Sequence, residues 1–161
     1  MFITDKVELY FMDYALLKDQ VNALIADEEN SIANLANTAA VLFNALDDVN
    51  WAGFYLVDKT KSDELVLGPF QGQPACVRIP FDTGVCGAAA SSLTSQLVAD
   101  VHAFPGHIAC DAASNSEVVI PIVCDGRLYG VLDIDSPSLN RFTDADLVGL
   151  EAIVAVLEAQ L

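Results

Sequence analysis

The chain has 161 residues, 53% of them hydrophobic, which suits one domain with its own core and is too apolar for disorder. Its 23 Asp and Glu against 7 Lys and Arg leave a formal net charge of −16. With no visible Lys/Arg cluster, that balance argues against nucleic acid or an anionic membrane as partner. There is no apolar run of about eighteen residues, and the opening Met-Phe-Ile-Thr-Asp-Lys lacks the basic-then-apolar order of a secretory signal. These features point to a single domain over residues 1–161 in the cytoplasm, a compartment where thiols stay reduced and a disulfide is transient rather than structural.

A first helix is expected from Asp5 to Asp27, where Val7, Tyr10, Phe11, Tyr14, Leu17, Val21 and Leu24 recur at helical steps. A second follows Asp27-Glu28-Glu29-Asn30, with the stripe Ile32, Leu35, Ala36, Ala39, Leu42, Phe43 and Leu46, and stops near Asp47-Asp48. Strand texture begins at Trp51–Val57 and Glu64–Phe70, an antiparallel pair across a polar turn, and continues in a shorter strand at Cys76–Ile79. Gly84 to Leu93 reads as a short helix with Cys86 near its start, followed by a brief strand at Gln96 to Val98. The stretch from Asp100 to Ser116 reads as a long loop, and long loops in compact domains tend to be functional. Glu117–Val123 and Leu128–Ile134 form a hairpin about Asp125-Gly126, and Thr143-x-x-Asp146 opens a last helix with a capping box. The order gives an α+β fold of five or six strands in an antiparallel sheet, with the terminal helices covering one face.

Three of the four cysteines lie in glycine-bearing, turn-rich sequence: Cys76, Cys86 and Cys110. The intervals between successive cysteines are nine, twenty-three and thirteen residues, not the close pairs of a zinc site, so no metal is expected. Buried structural thiols or a set of thiols that attack, resolve and are reduced remain. Cys124, at the hairpin turn, is taken as incidental, and His102 and His107 as loop hydrogen-bonders. Asp133 and Asp135 stand two apart and share one strand face, and Glu117 on the partner strand could join them. Trp51 and Tyr55 are likewise in phase, as core or as the lining of a small pocket.

Which face Glu117 takes depends on the turn. A two-residue turn at Asp125-Gly126 would set residue 117 opposite 134, away from both aspartates. A three-residue loop of Cys124, Asp125 and Gly126 would pair Glu117 with Asp133 and gather the three carboxylates. An acidic cluster therefore requires an odd-length loop or a compensating bulge.

The segments Asn-Trp51-Ala-Gly-Phe-Tyr55-Leu, Leu-Gly-Pro-Phe-Gln-Gly, Ala-Cys76-Val-Arg-Ile-Pro, Gly-Val-Cys86-Gly, Gly-His-Ile-Ala-Cys110-Asp, Ser-Asn-Ser-Glu117 and Gly-Val-Leu-Asp133-Ile-Asp135-Ser together resemble the free methionine-R-sulfoxide reductases, GAF-domain enzymes. The resemblance runs from the second helix to the last. It implies a GAF-like, six-stranded antiparallel sheet with helices on both sides, usually as a homodimer. It also implies a single catalytic domain that reduces free rather than protein-bound methionine-R-sulfoxide. By position, Cys110 matches the nucleophile, Cys76 the principal resolving cysteine, and Cys86 a second thiol able to take part in recycling. Trp51 and Tyr55 match the pocket for the substrate side chain, and Glu117, Asp133 and Asp135 its acidic cluster. Thioredoxin is the implied reductant, and no metal or organic cofactor is required. The competing reading is a GAF-type sensor that binds a small molecule or responds to oxidation without turnover.

Overall fold

A computed structural model describes residues 11–161, so Val7 and Tyr10 of the expected first stripe lie outside the described residues. Helix α1 spans Tyr14–Ile25. It starts where the Asp13 side chain accepts the Leu16 N–H at 3.0 Å, so Phe11 falls before it and is exposed. Helix α2, Ser31–Ala45, is capped in the same way by Asn30 on Ala33. Leu17, Val21, Ile25, Leu35, Ala39 and Leu42 are buried as their period demands, whereas Leu24 and Ile32, at the edge of each stripe, are exposed.

Strands β1 (Trp51–Val57), β2 (Glu64–Gly72), β3 (Arg78–Pro80), β4 (Gln96–Val98), β5 (Ser116–Cys124) and β6 (Arg127–Ser136) form one antiparallel sheet in the order β3-β2-β1-β6-β5-β4. Helix α3 (Gly84–Ser92) follows β3, and α4 (Asp144–Glu158) closes the chain behind a capping box between Thr143 and Asp146. The residues from Asp100 to Asn115 are loop apart from a 3-10 turn at Val101–Ala103. Strand β3 begins later than expected: Cys76 and Val77 are loop, and Val77 is exposed.

Alternation along the strands divides the core in two. Ala52, Phe54, Val118, Ile120, Leu132 and Ile134 face α1, α2 and α4. Trp51, Tyr55, Val119 and Val131 face the other way, where Cys86, Ala89 and Ala90 of α3 cover them. Helices therefore lie on both faces, and α3 with the 100–115 loop occupies the side toward which the odd-numbered residues of β1, β5 and β6 point.

The hairpin solves its parity problem with a bulge. Cys124 pairs with Arg127 across a two-residue turn in which Asp125 and Gly126 both have positive φ, 52° and 72°. A three-residue loop is thus not used, and Glu117 does not pair with Asp133. Instead Val123 pairs with Leu128 and Ile122 with Gly130, leaving Tyr129 as an extra residue on β6. From there Glu117 stands opposite Asp135 and Val119 opposite Asp133, and all three carboxylates share the α3 face.

Candidate functional site

The site lies between the sheet and α3. That helix is built of small residues, and a Cβ on Gly87 would come within 2.7 Å of the Pro80 carbonyl oxygen, so only glycine lets it sit this close to the end of β3. Cys86 is thereby pressed onto the sheet. The cleft that remains is lined by Trp51 and Tyr55 of β1, Cys86 of α3, Glu117 of β5, and Asp133 and Asp135 of β6. Cys110, Asp111, His107 and Ile108 close it from the 100–115 loop.

Cys76 and Cys110 are joined by a disulfide, with Cα atoms 5.2 Å apart. It links the loop after β2 to the loop before β5. Cys86 stays a free, buried thiol whose Sγ lies 3.9 Å from Glu117 Oε1, and Cys124, at the end of β5, is free and half-buried. Two aromatic side chains hold the Cys76 loop in place: Trp51 Nε1 donates to the Gln73 carbonyl at 3.1 Å, and Tyr55 Oη donates to the Cys76 carbonyl at 2.9 Å. Trp51 also stacks between Tyr55 and Phe70. The opposite loop is tied by Asn50, whose Nδ2 donates to Asp111 Oδ2 at 3.0 Å and to Ser114 Oγ at 3.1 Å. His102 Nε2 meets Asn115 Oδ1 at 3.0 Å, a loop hydrogen bond as expected, whereas His107 lines the cleft.

Among the described residues no Lys or Arg lines this cleft. Burial, with help from His102, lowers the His107 pKa below its ordinary value of 6.5, so the imidazole is uncharged at neutral pH. Burial raises Glu117 well above the carboxylate range, and Asp133 and Asp135 push it further. Asp135 is raised well above that range by burial and by Asp133 and Asp111, and Asp133 is raised to about 6 by burial, against hydrogen bonds from Cys86 and Glu117. Burial and mutual repulsion thus favour the protonated form across the cluster. The Cys86 thiol is pushed well up by burial and by the same three carboxylates, so it is no ready thiolate. Oδ1 of Asp133 is buried without a hydrogen-bond partner. Such a cleft is matched to a ligand carrying a positive charge, and its protonated carboxyls can donate protons.

Sequence reasoning named Cys76, Cys86, Cys110, Trp51, Tyr55, Glu117, Asp133 and Asp135, and the structure brings all eight to this cleft or its rim. It missed Asn50 and Ser114 as the ties of the Cys110 loop. The available signal was Asn50 itself, a polar residue immediately before a strand that is otherwise apolar.

A family model for the GAF domain matches residues 30–161, and this sets the class of the fold. Free methionine-R-sulfoxide reductase of Escherichia coli (strain K12) is 56% identical over 148 residues, 92% of this chain and 88% of that protein. The fRMsr of Staphylococcus aureus, solved in complex with substrate, is 54% identical with a TM-score of 0.88, covering 94% of this chain and 97% of that one. Free methionine-R-sulfoxide reductase from Neisseria meningitidis, also solved with its substrate, is 50% identical with a TM-score of 0.87, covering 91% and 87%. The chain belongs to the GAF-domain family and, within it, to the free methionine-R-sulfoxide reductases.

Proposed function

We propose that this chain reduces free L-methionine-(R)-sulfoxide to methionine by thiol chemistry. The observation that carries the reading is the Cys76–Cys110 disulfide at the rim of a buried acidic cleft to which no Lys or Arg among the described residues contributes. In the reduced protein the Cys110 thiolate attacks the sulfoxide sulfur while the sulfoxide oxygen takes a proton from the carboxyl cluster, whose members burial holds toward the protonated form. The sulfur–sulfur bond so formed breaks as the hydroxyl passes from the substrate sulfur to Cys110, which is left as a sulfenic acid, and methionine leaves with its sulfur reduced. Cys76 then attacks the Cys110 sulfur, expelling water and forming the disulfide. An external dithiol, thioredoxin, reopens it through a mixed disulfide and carries away the oxidising equivalents.

Trp51 and Tyr55 hold the apolar end of the substrate, and the carboxylates hold its α-ammonium group, which a peptide-bound methionine lacks. Cys86, free beside Glu117, is the second thiol that recycling can draw on. The active unit is a single catalytic domain over residues 1–161, working as a cytoplasmic homodimer. Among the described residues no helix is long and apolar enough to cross a membrane. The test is a thiol titration of the reduced chain without recycling reductant. One equivalent of methionine formed for each two thiols lost is the expected result, and an unchanged thiol count with the R-sulfoxide overturns the reading.

A further inference from the structure

We propose that the floor of the cleft is also a zinc site, with Cys86 Sγ and one carboxylate oxygen each from Glu117 and Asp133 as protein ligands and the remaining position open to the cleft. These three ligand atoms lie within 4.8 Å of one another, and Cys86 Sγ is 3.9 Å from Glu117 Oε1. Zinc takes thiolate sulfur at about 2.3 Å and carboxylate oxygen at roughly 2.0–2.2 Å, so a tetrahedral ion needs sulfur-to-oxygen separations of roughly 3.5 Å. The Cys86–Glu117 pair therefore has to close by only a few tenths of an ångström, and no pair of the trio by more than about 1.3 Å. All three side chains are fixed by burial, with relative exposures of 4%, 7% and 6% for Cys86, Glu117 and Asp133.

A second observation points to a ligand independently of this geometry: Asp133 Oδ1 is buried and makes no hydrogen bond. Among the described residues no Lys or Arg lines the cleft to answer it, so its partner is a bound cation, a role open to a metal ion as well as to the substrate's ammonium group. One thiolate with two carboxylates is a borderline donor set that favours zinc over magnesium or calcium, which prefer all-oxygen shells of higher coordination. Spacing along the chain conceals the site because its ligands come from α3, β5 and β6 and meet only in the fold. The same carboxylates are those assigned above to the ammonium group. On that reading zinc excludes the amino acid from the cleft and acts as a competitive brake.

Cobalt(II) is the probe, added to the full-length chain in its oxidised form, where Cys86 and Cys124 are the only free thiols. A thiolate-to-cobalt charge-transfer band should saturate at one ion per chain and be bleached by one equivalent of zinc. Excess magnesium should leave it untouched. The band should vanish in Cys86→Ser and persist in Cys124→Ser. No band, a band that survives Cys86→Ser, or one lost only in Cys124→Ser overturns the site. Asp133→Asn keeps the shape of the side chain and should weaken zinc binding at least tenfold in a chelator competition, so an unchanged affinity also overturns it. None of these readouts involves turnover, so failure here leaves the reductase reading standing, and an inactive enzyme would leave the cobalt band intact.

Discussion

Cys110 and Cys76 are joined to each other, yet their replacements should behave differently. Cys110→Ser should bring single-turnover methionine formation down to background, because the only other thiol in the cleft, Cys86, is held protonated by burial and three carboxylates. Cys76→Ser should keep the first turnover and lose most thioredoxin-dependent cycling, and rapid-quench measurement of methionine separates the two steps. N-acetyl-methionine sulfoxide should be turned over with kcat/KM lower by on the order of 10³-fold or more, since its missing charge leaves buried carboxylates unanswered. Comparable rates on the free and acetylated substrates would remove the acidic cluster from recognition. Trp51→Phe retains a ring between Tyr55 and Phe70 but loses the bond to the Gln73 carbonyl. It should slow disulfide formation while sparing the first chemical step, visible as accumulation of sulfenic acid trapped by dimedone.

Among the elements, α3 ends on Leu93, which adopts a left-handed conformation at φ 55° with an exposed side chain. A residue with a Cβ is disfavoured there by about 1 kcal/mol or more, and helices ordinarily place glycine at this point. Leu93→Gly should therefore raise stability by about 0.5–1 kcal/mol in urea denaturation, and a lower midpoint would mean that Leu93 packs in a way its exposure does not reveal. Tyr129 offers a second test, because every pairing of β5 with β6 beyond it is already in register without it. Deleting Tyr129 should keep Glu117 opposite Asp135. Deleting Ile120 from β5 should break the cluster, since the lost residue adds to the mismatch. Far-UV circular dichroism with a substrate-binding assay distinguishes the two variants. Elements with strong period or caps, α2, β1, β4 and α4, were legible in the sequence to within a residue or two. The start of α1 was not, because Phe11 falls in phase with a stripe that the Asp13 cap cuts off, and the start of β3 was not, because an aromatic hydrogen bond and a disulfide hold Cys76 off the ladder. The facing of Glu117 was legible only as a condition. Asp125-Gly126 announces its own turn, whereas nothing local announces a bulge at Tyr129.

For the molecule as a whole, the acidic cleft inverts the usual pH dependence of stability. Glu117, Asp133 and Asp135 bind protons more tightly folded than unfolded, so their contribution is fully present below the ordinary carboxylate pKa and is lost as pH rises through the folded values. For Asp133 that window runs from 3.8 to about 6, and the loss is on the order of 2–3 kcal/mol. Asp146 works with the opposite sign: burial raises it, but hydrogen bonds from Tyr14 and Thr143 hold it below the ordinary value, so its contribution disappears in stronger acid. Tm should accordingly be highest near pH 4–5 and fall toward pH 8, with a shallower fall in Asp133→Asn; a Tm that climbs from pH 5 to 8 would contradict the buried carboxyls. The Cys76–Cys110 bond acts at the same scale, since it spans 34 residues that include β3, α3 and β4. On the proposed cycle each turnover would knot that fifth of the chain into a covalent ring and then release it. Ring closure of this length takes about 3–4 kcal/mol of conformational freedom from the unfolded chain, so the oxidised form should outlast the reduced one in denaturant by that order. Amide hydrogens of α3 should accordingly exchange faster once the bond is open. The chain would then be loosest at the moment it waits for substrate and most securely closed when it waits for a reductant.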